Sequence, residues 1–411
     1  MEVRFRPYEP ERDHEAVVRI IREAGWLRTL PEEAVDLTLR VGRAWVAELE
    51  GAAECFVHTV PGSLRYLDRE LPFFAVNQVA TSGIARRRGL ARRLTALAVA
   101  ANAADGALVS EVGVFDQGFY DALGFGTGSY ELYATLDPLH LRTEQRPRVP
   151  RRLSAKDWKA AHAARLARRR SHGACNLFPP ETTRVAMLEG ANSFGLGYTD
   201  GPQGALSHCL WCTPEDPEHG PYRVRWLAFQ TQEQFRELIA LLADLGDQVH
   251  RVQLAEPPGV QLQDLVAFPL RQLQATRGSP WPVGIQAVAH WQVRLCDLVG
   301  ALRETHLEGK AVRFNLRLSD PISAFLAEDA PWRGIGGEYI VVLGPESMAQ
   351  PGQNPRLPTL TASVNAFSRL WLGVRPASGL ALTGALHGPT PLLDHLDRLL
   401  CLPTPRPDWE L

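Results

Sequence analysis

The chain has 411 residues, and its 44 lysines and arginines nearly balance 46 aspartates and glutamates, for a formal net charge of −2. That balance excludes a general attraction to nucleic acid or anionic membrane, so any basic site must be local. At roughly 150 residues per domain the length predicts two or three domains. Six scattered cysteines argue against a disulfide framework and for a reducing compartment. The opening MEVRFRPYEPERD has no apolar stretch and no run approaches a membrane-spanning length, so the expected location is the cytoplasm.

Val3 to Pro7 alternates like a short strand, and Glu11 to Ala24 has helical spacing. A second helix is expected from Pro31 to Leu39. Ala44 to Leu49 and Cys55 to Val60 read as strands around Glu50-Gly51, and Leu71 to Thr81 as a central strand. A strong helix from Gly89 to Ala104, a strand from Ala107 to Gly113 and a short helix from Gly118 to Leu123 follow. The alternating Tyr130 to Thr135 is expected to close this sheet. After the proline-rich, charged stretch from Gln145 to Arg152, a second block repeats the alternation less cleanly, with helices at 155–169 and 233–245 and strands at 205–211, 224–228 and 249–254. A further boundary lies within Gly278 to Val288. Beyond it, 291–295, 311–318 and 359–364 read as strands and 296–303 as a helix. The fold class is α+β or α/β, with divisions at 1–145, 146–284 and 285–411.

The chemistry concentrates in Val79 to Ala91, where a strand ends, a turn of three consecutive arginines follows and a helix begins. A helix N-terminus presents unpaired N–H groups and a partial positive charge, which together make an anion site. Gly89 lets the backbone approach a pyrophosphate closely. Neither a P-loop nor a dinucleotide-binding GxGxxG is present.

Arg86-x-x-Gly89-x-Ala91 resembles the acetyl-CoA signature of the GNAT acetyltransferase superfamily. Phe119-Tyr120-Asp121-Ala122-Leu123-Gly124-Phe125 resembles the FYxxLGF stretch of the same superfamily. The resemblance implies that Val79, Thr81, Arg86, Arg87, Gly89, Leu90 and Ala91 bind acetyl-CoA as co-substrate, with no metal. It places the Tyr120 hydroxyl at the cofactor sulfur as general acid, and a backbone N–H of the Val79 to Thr81 strand at the thioester carbonyl. A splay between that strand and Ala107 to Gly113 would hold the pantetheine arm.

Trp291 to Leu302 (WQVRLCDLVGAL) and Phe314 to Pro321 resemble the opening and a later strand and turn of a sterol-carrier-protein-like domain. Together with the degenerate middle block, the whole chain is similar to three-domain acetyltransferases of the "enhanced intracellular survival" type. That resemblance implies two tandem GNAT-like domains, a homo-oligomer (often a hexamer), and the carboxylate of the last residue, Leu411, as general base. Glu410 would attract a cationic amine and Trp26 would line the acceptor pocket. Two prolines and Trp409 in the tail favour docking over fraying. The acceptor is expected to be an amine-bearing small molecule or a lysine side chain. The alternative is a non-catalytic protein whose C-terminal domain binds an apolar ligand. His208-Cys209-Leu210-Trp211-Cys212 has no second CxxC, and alternation puts its cysteines on opposite strand faces, so packing is favoured over metal. His58, His290 and His395 are read as structural.

Overall fold

The structure of the protein, a computed structural model, describes residues 3–144 and 146–411. The boundary residue Gln145 lies outside the described residues. Three sheets organise the chain. The first has eight strands and runs Val3–Pro7, Arg43–Leu49, Ala52–Tyr66, Arg69–Thr81, Val109–Gly113, Trp291–Leu295, Gly126–Thr127, with Cys175–Leu177 pairing the far half of Ala52–Tyr66. The second has seven strands, in the order Gly284–Val288, Glu131–Leu136, Val252–Ala255, Tyr222–Ala228, His208–Pro214, Phe194–Tyr198, Arg151–Leu153. The third has five strands around the parallel pair Val312–Ser319 and Thr359–Ser363.

The alternation at Tyr130 to Thr135 does form a strand, Glu131–Leu136, but it does not close the first sheet. It pairs with Val252–Ala255 and Gly284–Val288 in the second. Its expected place is taken by Trp291–Leu295, which lies antiparallel to both Val109–Gly113 and Gly126–Thr127. Period-two alternation specifies a half-buried strand without naming the sheet it joins. All five residues of Trp291–Leu295 are buried, which suits an interior strand.

In each of the first two sheets a strand, a helix and a parallel strand make the centre. In the first these are Arg69–Thr81, Leu90–Ala104 and Val109–Gly113. In the second they are Tyr222–Ala228, Gln232–Ala243 and Val252–Ala255. The middle block is thus a structural echo of the first. Leu94, Ala98 and Val99 of Leu90–Ala104 are fully buried against Val57, Phe74 and Val112 in one core. Cys209 and Cys212 do lie in different cores on opposite sides of the second sheet.

The first and third sheets share one continuous core, in which Leu64, Tyr66 and Phe73 meet Phe314, Leu316 and Trp371. An ion pair fastens the same junction. Arg294 donates to Asp320 at 2.5 and 3.1 Å, with both side chains almost wholly buried. The guanidinium also donates to the Leu123 carbonyl and lies 5.1 Å from the Trp332 ring centre. Gly124 adopts φ +83°, and a Cβ there would collide with Arg294. The glycine of the FYxxLGF-like stretch is therefore required by both backbone and space. Removing one member of a buried pair leaves the other uncompensated. Asp320→Ala is expected to lower stability by about 3–5 kcal/mol, read from chemical denaturation; a loss under about 1 kcal/mol would show that the pair does not hold the junction.

Candidate active site

The parallel pair at the centre of the first sheet stops early. Phe73, Phe74, Ala75 and Val76 face Val109, Ser110, Glu111 and Val112, and no pairing follows. A register shift explains the separation: Gln78 faces His58 and Val76 faces Thr59, so Asn77 is an extra residue in its strand. Such a bulge bends and twists the strand. From Gln78 to Thr81 the backbone keeps its ladder with Ala52–Tyr66 but, among the described residues, has no partner on the side of Val109–Gly113. The expected splay is present, with Val79 and Thr81 on its free edge.

The arginine turn follows directly. Arg87 (φ +61°) and Gly89 (φ +74°) are both left-handed, and Leu90 begins the helix. No side chain caps the helix N-terminus. Arg86, Arg87 and Arg88 are exposed and, among the described residues, make no ion pair. In the middle block the corresponding helix starts at Thr231, whose side chain accepts the Gln234 N–H while Gln234 reaches back. There a reciprocal cap already takes up the Gln234 and Thr231 N–H groups, two of the donors an anion would meet. The difference between the two helix starts lies in their caps as well as in their charge.

A cavity of about 300 Å³ opens at the splay, lined by Trp26, Val79, Gly113, Tyr120, His290 and Leu411 among others. Tyr120 enters from the turn before Asp121–Leu123, wedged edge-on between Phe119 and Phe125. Burial pushes its hydroxyl well above the usual tyrosine range, so it holds its proton. Leu411 reaches the same cavity from the far end of the chain. A Cβ on Gly113 would run into the terminal oxygen of Leu411, so the carboxyl group lies against that glycine's backbone.

The tail is held at every step. Ser129 donates to the Pro405 carbonyl. The Cys175 N–H donates to the Pro407 carbonyl at 2.9 Å. Arg168 binds the Asp408 carboxylate and backbone carbonyl, each at 2.7 Å. Trp409 is buried against the Arg165 guanidinium, 3.8 Å from its ring centre, with Arg168 at 5.2 Å. Glu410, expected to attract a cationic amine, instead gives its carboxylate to Arg225 at 2.8 and 2.9 Å. Its charge is matched within the protein.

The small cavity continues through Asn77, Gln78, Gly113, His290 and Leu411 into a cleft of about 1770 Å³ between the first two sheets. His290 thus lines both spaces, although its isolation in sequence suggested a structural role. His58 also borders the cleft; it is fully buried, bonds the Val41 carbonyl at 2.7 Å, and burial lowers it to about 4, so it is neutral. His395 bonds the Lys310 carbonyl at 2.9 Å, remote in sequence from these residues.

Two carboxyl groups were not singled out in sequence. Glu111 is completely buried with neither oxygen hydrogen-bonded, and burial raises it well above the carboxylate range. Glu131 lines the cleft, and burial, aided by Asp408 and Glu410 against the pull of Arg406, pushes it up to about 7. The available signal was a charge inside an otherwise apolar alternation. A metal-ligand geometry occurs at Asp200, His208 and Glu237. Arg148 already engages both carboxylates there, at 2.6–2.9 Å, so the trio forms an arginine clasp.

Two outcomes follow from this geometry. Trp409→Ala removes the tail's anchor and should speed amide exchange across residues 406–411 by on the order of 10²-fold or more; unchanged protection would mean that the ring does not hold the tail. The raised Glu131 value means the folded chain keeps a proton that the unfolded chain has lost, so its share of stability is present below about 4.3 and is lost as pH rises through about 7. Glu131→Gln should therefore be more stable than the parent at pH 8, by on the order of 2–3 kcal/mol, with the gap closing towards pH 4; a pH-independent difference in denaturation midpoints would contradict this.

No protein-family model matches the chain and no curated relative was found. Solved structures do resemble it along its whole length. A protein of Enterococcus faecalis V583 described as a probable N-acyltransferase superposes with a TM-score of 0.78 at 15% identity, covering 98% of each chain. Eis1 of Mycobacterium abscessus gives 0.77 at 17% identity over all of both chains. A GCN5-related N-acetyltransferase of Kribbella flavida gives 0.71 at 18%, covering 98% of this chain and 96% of that one. At these identities the likeness is one of fold: tandem GNAT-like mixed sheets followed by a third α+β unit.

Proposed function

We propose that the protein is an acetyl-CoA-dependent N-acetyltransferase that moves the acetyl group directly to an amine. One observation carries the reading: a free strand edge, a protonated tyrosine and the chain's terminal carboxylate meet in one cavity beside an uncapped, arginine-flanked helix start. The co-substrate supplies a thioester carbonyl and a thiolate leaving group. Arg86, Arg87 and the N–H groups of Gly89, Leu90 and Ala91 fit its pyrophosphate. The free edge from Val79 to Thr81 offers N–H groups to the pantetheine arm and to the carbonyl oxygen.

The Leu411 carboxylate takes the proton of the attacking amine. A carbon–nitrogen bond forms, the carbon–sulfur bond breaks, and Tyr120 gives its proton to the departing sulfur. Tyr120 then recovers a proton from solvent and Leu411 releases one, so the chain is unchanged. No side chain is acylated, and the buried cysteines play no part. Trp26 borders the reacting centre, where an aromatic wall can orient the acceptor.

The sequence motif at Trp291 to Leu302 is what supports a sterol-carrier-like derivation for the third unit, with its opening strand, Trp291–Leu295, built into the first sheet. Its interior is occupied by fully buried Phe314, Phe367 and Trp371, which favours a structural role over the binding of an apolar ligand. Among the described residues no helix is long and apolar enough to cross a membrane. Self-association belongs to the proposal as well. Helix Pro269–Thr276 buries none of its residues, and Leu270, Leu273 and neighbouring Phe268 are exposed, as is Ile285 on the edge strand Gly284–Val288.

Calorimetry with acetyl-CoA and thiol release from an amine panel test the reading. Tyr120→Phe should lower kcat by about 10²-fold or more, and removal of Leu411 by a similar factor. Absence of cofactor binding at millimolar concentration, or full turnover by both variants, would overturn it.

A further inference from the structure

The cleft that continues from the reacting centre is lined by eight arginines and no lysine, against five acidic side chains and the terminal carboxylate. Several of these charges are already matched. Asp408 is held by Arg168, Glu410 and Glu189 by Arg225, and Glu70 outside the cleft by Arg170 and Arg65. Four guanidiniums remain with no carboxylate in ion-pair reach among the described residues: Arg165, Arg169, Arg223 and Arg406.

Arg165 is the most constrained. It is 97% buried by area, since only 3% is exposed, and its single hydrogen bond goes to the neutral Thr183 hydroxyl at 3.1 Å. Trp226 and Trp409 lie 4.9 and 3.8 Å from it, so rings stand where a counter-ion would normally be. Arg406 reaches only the Glu256 carbonyl, at 2.9 Å, and Arg223 only the Gln253 side chain, at 3.4 Å. The Arg169 side chain is exposed and has no partner among the described residues. On the acidic side, Glu256 accepts the Leu262 N–H and is buried, and Glu131, pushed up to about 7 by burial, carries only part of a charge at neutral pH. A polycation entering this space finds little unmatched negative charge beyond the Leu411 terminus. An anion finds guanidiniums that present paired donors suited to carboxylate or phosphate.

We infer that the acceptor is an amine that also carries an anionic group, a carboxylate or a phosphate, received by the unpaired arginines of the cleft while its nitrogen faces Leu411. The nitrogen's placement rests on the acetyl-transfer reading; the arginine half does not. The cleft exceeds an ordinary small-ligand pocket of roughly 300–1,000 Å³, which suits an extended acceptor.

The test uses the full chain and three matched heptapeptides with free N-terminal amines, containing two aspartates, two phosphoserines or two lysines on a glycine–alanine background. Calorimetry at low salt should show the aspartate or phosphoserine peptide binding about tenfold or more tightly than the lysine peptide. The preference should shrink as salt rises and fall towards unity in the double variant Arg223→Gln/Arg406→Gln. Whichever acidic peptide binds more tightly identifies the group recognised. Equal binding, tighter binding of the lysine peptide, or a preference untouched by the double variant would overturn the inference. Thiol release from acetyl-CoA with the same peptides is read in parallel. An acidic preference in binding without thiol release from any peptide would overturn the nitrogen's placement at Leu411 and leave the arginine half standing, whereas the acetyl-transfer reading itself falls with the loss of cofactor binding.

Discussion

The cavity that Tyr120 and Leu411 share depends on two parallel strands that pair for four residues and then part. Up to Val76 and Val112 the ladder is complete; beyond them the bulge at Asn77 turns one strand away. Unpaired backbone inside a protein is costly, and most folds leave none. Here a stretch of it borders a cavity, which is where an extended ligand can complete the ladder. Tyr120 and Leu411 meet at that opening, and the helix start follows the end of the strand that borders it. The middle block shows the control case. It has the same strand–helix–strand centre, but its helix begins with a satisfied cap, and the feature that invites an anion is gone.

The balance of charge around the tail shows how a chain end becomes a fixed part. A free terminus carries a charge and ordinarily frays. Here each of the last residues meets a partner from the middle block: Arg168 for Asp408, the Arg165–Trp409 stack, and Arg225 for Glu410. These arginines match the side-chain acids of the tail, while Leu411, among the described residues, makes no ion pair where it lines the cavity. Glu410 therefore acts on the tail's position rather than on an incoming amine.

What could be read in sequence was whatever is local. Arg86 to Ala91 and Phe119 to Phe125 are continuous runs, and the secondary structure around them follows from spacing and turn chemistry. The stiffness of Pro405 and Pro407 and the bulk of Trp409 announced a docked tail. What escaped depends on distant partners. Glu131 to Leu136 carried the right alternation but no mark of which sheet would receive it. Arg294 was part of a motif, yet only the fold shows that it closes on Asp320 and forces a glycine at position 124. The unpaired state of Arg165 likewise depends on which acids are absent from its surroundings, and a sequence does not state that.

The exchange of strands between the sheets reaches beyond the finished molecule to its synthesis. Leu123, in the turn that carries Tyr120, waits for Arg294, 171 residues later. At about 5–20 residues per second a ribosome needs on the order of ten seconds or more to deliver it. Until then Val109–Gly113 presents an open edge, the kind that pairs with the wrong chain. The edge of the first sheet is thus completed late, by a strand that follows the whole middle block.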